Sequence, residues 1–243
     1  MLEIFRKEIR SFFSSLIGYI VIGVFLLVLG LVLFVFTDSS LLDKPYASLE
    51  PLFTMAPIVF LFLIPAVTMR SFAEENQNGT IELLLTKPLS EWDIVLGKYF
   101  ASLCLVLIAL LPTVLYFFTM YELGSPRGNI DTGAVLGSYF GLFMLATGFT
   151  AIGLFASSLS NNQIVSFLAG TFISFFFYYA FFLISRMPIV TGTFDDLIQR
   201  FGMDYHYASL SRGVIDTRDV VYFITLALVF LRLTLLFIQK RKW

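Results

Sequence analysis

The chain has 243 residues, of which 58% are hydrophobic, 17% aromatic and only 14% charged, with a net charge of −1. A soluble globular domain carries about 25% charged residues, so this composition excludes one and places the chain in a bilayer. The single cysteine rules out an intrachain disulfide, and a net charge so near zero points to no class of partner.

A membrane-crossing helix needs about 20 apolar residues, because the hydrocarbon core is about 30 Å thick and a helix rises about 1.5 Å per residue. Six stretches qualify: residues 16–36, 51–69, 99–121, 134–157, 164–184 and 220–238. They leave little mass for a soluble part, so the expectation is an all-α polytopic membrane protein whose single domain covers residues 1–243. The first apolar run is too long for a cleavable signal peptide, and both charge signs precede it. Orientation rests on Lys and Arg. With both termini inside, the cytoplasmic segments hold nine (Arg6, Lys7, Arg10, Arg70, Lys87, Lys98, Lys240, Arg241, Lys242) and the outer loops six. The expectation is that both termini, the loop 70–98 and the turn 157–163 are cytoplasmic.

In chain order, residues 3–15 read as a short interfacial helix. Ile4, Phe5, Ile9, Phe12 and Phe13 share one face, and Arg6, Lys7 and Arg10 turn towards headgroups; an extension of the first span is the alternative. Pro57 and Pro65 in the second span and Pro112 in the third each remove a backbone hydrogen bond and favour a kink. Between those spans lies the polar loop 70–98. In it Ile81, Leu84 and Leu85 form an apolar stripe at i, i+3 and i+4, opposite Glu82 and Thr86, which suits a groove in a partner. Glu74 and Glu75, at the end of a helix begun by Arg70, offer charges to the same partner. A solvated helix lying on the membrane is the competing reading. Ser90 and Asp93 look like a capped helix start, with Trp92 at the interface.

The fourth span opens with Gly133, Gly137 and Gly141, a small-residue ridge that suits close packing within the chain or between two copies. The outer half of the fifth span is crowded with aromatics from Phe172 to Phe182. Beyond an interfacial belt, Phe175, Phe176, Tyr178 and Tyr179 are candidates for a substrate path or a dimer contact. The outer loop 185–219 is expected to hold short helices capping the bundle. One starts at a capping box, Thr193 to Asp196, with Phe194, Leu197, Ile198 and Phe201 on one face; a second ends at Gly213. Arg232, inside the sixth span, lies about two turns from the cytoplasmic end and is placed to snorkel.

Catalytic chemistry is not indicated. A phosphate-cradling Gly-x-x-x-x-Gly-Lys-[Ser/Thr] loop is missing, because Gly97-Lys98 has Trp92 and Tyr99 at the other required positions. A Gly-x-Ser-x-Gly elbow is absent too. One histidine, His206, reads as a surface residue, and with Cys104 it cannot build a metal site. The spans as drawn hold no acid, which argues against ion-driven transport; any transport should draw on ATP.

One segment is more specific. Glu75, Gly79, Thr80, Ile81, Glu82, Leu83 and Leu84, then Thr86, Pro88, Leu89 and Ser90, then Gly97-Lys98 at the next span, resemble the ABC-2 class of ABC-transporter permeases. The interfacial helix, six spans, short re-entrant helices before the last span and basic C-terminus fit that class. The resemblance implies the ABC-2 permease fold and a coupling helix that docks on a separate ATPase through Glu74, Glu75, Gly79, Thr80, Ile81, Glu82, Leu84 and Leu85. Residues 62–72, 137–141 and 211–222 are similar to the GldF family of gliding-motility permeases. That similarity implies a GldA-like ABC ATPase partner, which would carry the ATP and Mg while this chain binds no cofactor. It also implies a GldG-like second membrane subunit or a second permease copy, in the inner membrane. A scaffold that transmits ATP-driven motion without transporting anything is the alternative.

Overall fold

The computed structural model describes residues 1–36, 41–42, 46–80, 90–187 and 194–240. Among these the chain is helical, with no strand. Six of its helical rods are long and apolar enough to cross a membrane.

A short helix α1, Leu2–Ser14, precedes the first rod, α2, Leu16–Phe34. Between them Ser15 is extended, and its hydroxyl accepts from Ile17 N, which caps α2. The second rod is α3, Glu50–Thr68, continued after Met69 by α4, Arg70–Gln77. Its 28 residues make about 42 Å of helix, more than a hydrocarbon core, so α4 projects past the apolar layer. Pro57 and Pro65 both stay inside α3 and are buried. Pro57 has no N–H, so the carbonyl four residues before it, that of Phe53, loses its helical donor. The buried hydroxyl of Tyr207 replaces it, donating to Phe53 O at 2.7 Å.

The third rod opens with a full capping box. Ser90 Oγ accepts from Asp93 N, and Asp93 accepts from Ser90 N. It runs as α5, Glu91–Leu110, tightens into a 3-10 turn at Pro112, Leu111–Thr113, and ends as α6, Val114–Leu123. The fourth, α7, Thr132–Leu159, is the axis of the bundle: 83% of its membrane window is buried, against 22% for α2. Its Gly, Ala, Ser and Thr residues admit neighbours on every side. The turn after it is shorter than residues 157–163, because Ser157, Ser158 and Leu159 remain helical. Asn162 then caps α8, Gln163–Phe175, through its side-chain oxygen. A π turn, Phe176–Ala180, links α8 to α9, Phe181–Ser185.

Two short helices follow, α10, Asp195–Gln199, and α11, Met203–Leu210, before the last rod, α12, Thr217–Lys240. Thr193 lies outside the described residues. Phe194, Leu197 and Phe201 are exposed, so α10 does not cover the bundle with its apolar side as the sequence pattern suggests. The bond from Gly202 N to Gln199 O closes the turn that follows α10. The cap is made by α11, which lies against α7. A Cβ at Gly137 would stand 2.5 Å from Gly213 O, and one at Gly141 would stand 2.7 Å from Leu210 Cβ. The glycine ridge therefore packs within the chain at Gly137 and Gly141, while Gly133 meets only Asp131.

Candidate functional site

Both described ends of the chain, the turn 160–162 and the residues flanking 81–89 gather at one end of the bundle. Contacts there tie Met1 to Asp93, Gln239 to Glu91 and Asn76 to Ser160. This base contains the densest charge in a chain that is otherwise poor in it.

Three helices build the site. α1 lies across α5, where Gly97 removes the side chain that would block it: a Cβ there would sit 3.0 Å from Ile4 Cβ. The next residue, Lys98, is 1% exposed. Its ammonium donates to Ser71 O on α4 at 2.6 Å and to Glu8 Oε1 on α1 at 2.8 Å. It also forms an ion pair with Glu75 Oε2 at 3.0 Å, and it stands 5.1 Å above the Phe72 ring. Lys7 closes the circuit from α1, with its Nζ 2.7 Å from Glu75 Oε1. Burial opposes the charge on Lys7, but its hydrogen bond to Glu75 and the two nearby carboxylates outweigh that and raise its pKa. Two cations and two carboxylates thus cancel inside the base, which is how ionised groups are tolerated away from water. Beside them Arg70 Nε reaches Glu74 Oε2 at 2.9 Å, and an Arg70 terminal nitrogen donates to Ser15 Oγ at 3.1 Å. The three helices leave a polar cavity of about 230 Å³ between them.

The start of α4 is held from outside its own chain segment. Met69 offers no side-chain cap, and the hydroxyl of Ser157 on α7 accepts from Phe72 N and Ala73 N at 3.0 and 3.1 Å while donating to Met69 O at 2.9 Å. These are the orphan donors that every helix start must satisfy.

The residues expected to meet a partner divide accordingly. Glu75 is turned inward and committed to Lys7 and Lys98, so it is not offered outward. Glu74 is half-buried and paired with Arg70. Gly79, at φ 66, and Thr80 are exposed and end the described part of the loop. Ile81, Glu82, Leu84 and Leu85 lie outside the described residues. Lys7 stays exposed along its stem while its ammonium pairs with Glu75 at the base. The apolar stretches 51–69 and 99–121 hold no acid, and α4 and α5 run past them, which brings Glu75 and Lys98 together at the base. Lys98 carries no sequence signal of burial apart from its neighbour Gly97.

Arg232 finds a partner in Trp92, its guanidinium carbon 4.6 Å from the ring centre. At the aromatic cluster the π turn separates the candidates. Tyr178 points inside, 4% exposed and 5.9 Å from Phe149, so it lines no outer surface of the chain. Tyr179 is half-buried against it, and Phe175 and Phe176 remain 44% and 41% exposed. His206 is not a free surface residue, since both its ring nitrogens are bonded. Among the described residues no group of His, Cys, Asp and Glu could hold a metal ion.

The family described as ABC-2 family transporter protein matches residues 2–240, nearly the whole chain. The chain belongs to the ABC-2 transporter family. No curated protein matches it. The permease is thus a multi-pass membrane protein, the membrane subunit of an ABC transporter, and this family implies an ABC ATPase partner. The ion cluster of the permease stands at the foot of α4, immediately before the segment that the sequence assigns to that partner.

Proposed function

We propose that this permease exports a substrate by coupling to ATP hydrolysis on a separate ATPase subunit, with ATP and Mg held by that partner and none by this chain. The observation that carries the reading is the neutral cluster Lys7–Glu8–Glu75–Lys98. It joins α1, α4 and α5 into one stiff unit directly before residues 81–89, so a push on that loop is transmitted to three membrane elements at once rather than lost in a flexible hinge. Both termini and the loop face the cytoplasm from the inner membrane. The similarity of residues 62–72, 137–141 and 211–222 to the GldF family supports placement in a gliding-motility transporter, with a GldA-like ATPase and a GldG-like or identical second membrane subunit. Glu82, Leu84 and Leu85, with Gly79, Thr80, Ile81 and Glu74, form the docking face.

The test is co-purification with the ATPase in mild detergent, followed by ATP-dependent export in proteoliposomes. Glu82→Lys and Leu84→Asp should each lower ATPase retention at least about tenfold while membrane insertion stays normal. Normal retention and ATPase stimulation in both variants would show that the loop is not the contact. Full stimulation with no substrate movement would favour the alternative, a subunit that transmits motion without transport.

A further inference from the structure

A second charged cluster sits at the opposite end, on the cap, and the coupling reading makes no use of it. His206, the only histidine of the chain, lies on α11. Its Nε2 is 2.9 Å from the carbonyl oxygen of Arg200, and its Nδ1 is 2.8 Å from Oδ1 of Asp219 in the first turn of α12. The second carboxylate oxygen of Asp219 accepts the hydroxyl of Ser209. The ring stacks on Tyr222, centroids 3.9 Å apart at 22°, and Tyr222 donates its own hydroxyl to Phe201 O at 2.7 Å. Tyr205 meets the ring edge-on at 5.3 Å.

Both ring nitrogens therefore face acceptors. A backbone carbonyl cannot donate, so the bond to Arg200 O needs a hydrogen on Nε2. An ionised carboxylate cannot donate either, so the bond to Asp219 needs another on Nδ1. A neutral imidazole has only one N–H and would set a bare lone pair against oxygen at the other contact. Ser209 has a single hydroxyl hydrogen, already directed at the same carboxylate. For both contacts to be hydrogen bonds, the arrangement needs one proton more than a neutral histidine and an ionised aspartate bring to it.

We propose that His206 and Asp219 form a proton-dependent latch, which tightens the α11 cap against the bundle while the extra proton is present and loosens it when the proton leaves. The latch closes a continuous set of ties. Residues 200–211 are bound to α12 through the His206 ring, to α3 through Tyr207 and Phe53 O, and to α7 through Ser138 Oγ, which donates to Ser211 O at 2.9 Å. Among the described residues, the other charges of these segments are exposed, as Arg212, Asp216 and Arg218 are, or engaged elsewhere. The Arg200 guanidinium is engaged by Asp196, and Asp204, whose carboxyl burial pushes up, is bonded to Tyr178. Ser209 and Tyr205 from α11 and Tyr222 from α12 are uncharged, and α7 brings no charged residue. On losing the proton, one of the two imidazole bonds must break, and the cap keeps its ties to α12 through Ser209 and Tyr222 but loses either the His206 tie or its own turn at Arg200.

One histidine makes the test direct. The permease, labelled with ¹⁵N-histidine and placed in nanodiscs, gives a single imidazole whose two nitrogens report their hydrogens by NMR. Amide exchange over 203–211, corrected for its intrinsic pH dependence, is followed in the same preparation from about pH 6 to about pH 9. Both nitrogens should carry hydrogen at the acid end. Exchange should then accelerate roughly tenfold over the pH range in which one hydrogen is lost, the factor expected for one charge-assisted bond. In Asp219→Asn, whose side chain keeps its shape, exchange over 203–211 should be faster at acid pH and no longer follow histidine titration. A bare nitrogen at the acid end, exchange that ignores pH in the unaltered chain, or unchanged pH dependence in Asp219→Asn would each overturn the latch. The measurement needs no ATPase, so its failure leaves the coupling reading untouched.

Discussion

A lysine with 1% of its surface exposed, in a chain made mostly of apolar residues, is the most consequential single residue of the base. Its charge is tolerable only because Glu8, Glu75 and the Ser71 carbonyl surround it. Lys98→Met keeps the length of the stem and removes the charge, leaving two carboxylates with Lys7 alone. Breaking one side of a buried pair costs about 3–5 kcal/mol, and the remaining Lys7 places the expected loss at the lower end, read as a fall in thermal unfolding temperature in detergent. Adding Glu75→Gln to that variant should recover part of the loss, because it removes the carboxylate left over; no recovery would mean that the lysine acts by packing alone. Lys7 sets the alkaline limit of the cluster. A raised folded pKa contributes stability that is complete below the ordinary lysine range and fades only as pH rises through the folded value. The Lys7 contribution is therefore insensitive to pH around neutrality.

At the scale of elements, the bundle is fixed by a few places where helices approach more closely than side chains permit. Gly137 and Gly213 face each other, and a Cβ on either would lie within 2.5 Å of backbone atoms of the other segment. Gly213 also sits at φ 82, so a substitution there is strained for two reasons. Gly137→Val should push the turn 211–213 off α7, at about 1–3 kcal/mol, the usual penalty of overpacking. Faster amide exchange confined to 203–213 would check it, and a uniform loss across all helices would contradict it. The ridge was visible in the sequence, but its spacing suits a second copy as well as a neighbour in the same chain. Only the position of α11 decides. Pro57 is similar: the missing N–H can be read directly, while the tyrosine 150 residues later that serves the freed carbonyl of Phe53 cannot.

For the whole molecule, orientation is the property that remains to be measured, and the charge distribution makes a definite statement about it. Single cysteines replacing Lys87 and Asn161 should resist an impermeant thiol reagent in intact cells, and those replacing Asp43, Asn129 and Asp196 should react, in a background with Cys104 replaced. Labelling at position 87 from outside would reverse the bundle and remove the loop from the side where ATP is made available. The base and the cap lie at opposite ends of α7, α3 and α12, the rods that touch both.

Sequence by itself determined the all-helical class, the six crossings, the capped start at Ser90 and the family, because hydrophobic length, local capping chemistry and a contiguous motif are properties of neighbouring residues. It also led to Arg232 and Trp92 separately, as a snorkelling cation and an interfacial ring. The tertiary structure alone paired those two, turned Glu75 inward onto the Lys7 ammonium and buried Lys98. It alone brought Ser157 to the start of α4 and closed His206 between Arg200 and Asp219. Each of these joins residues from different helices, and whether a charged or polar group is exposed or buried depends on which helix arrives beside it, which no local pattern encodes.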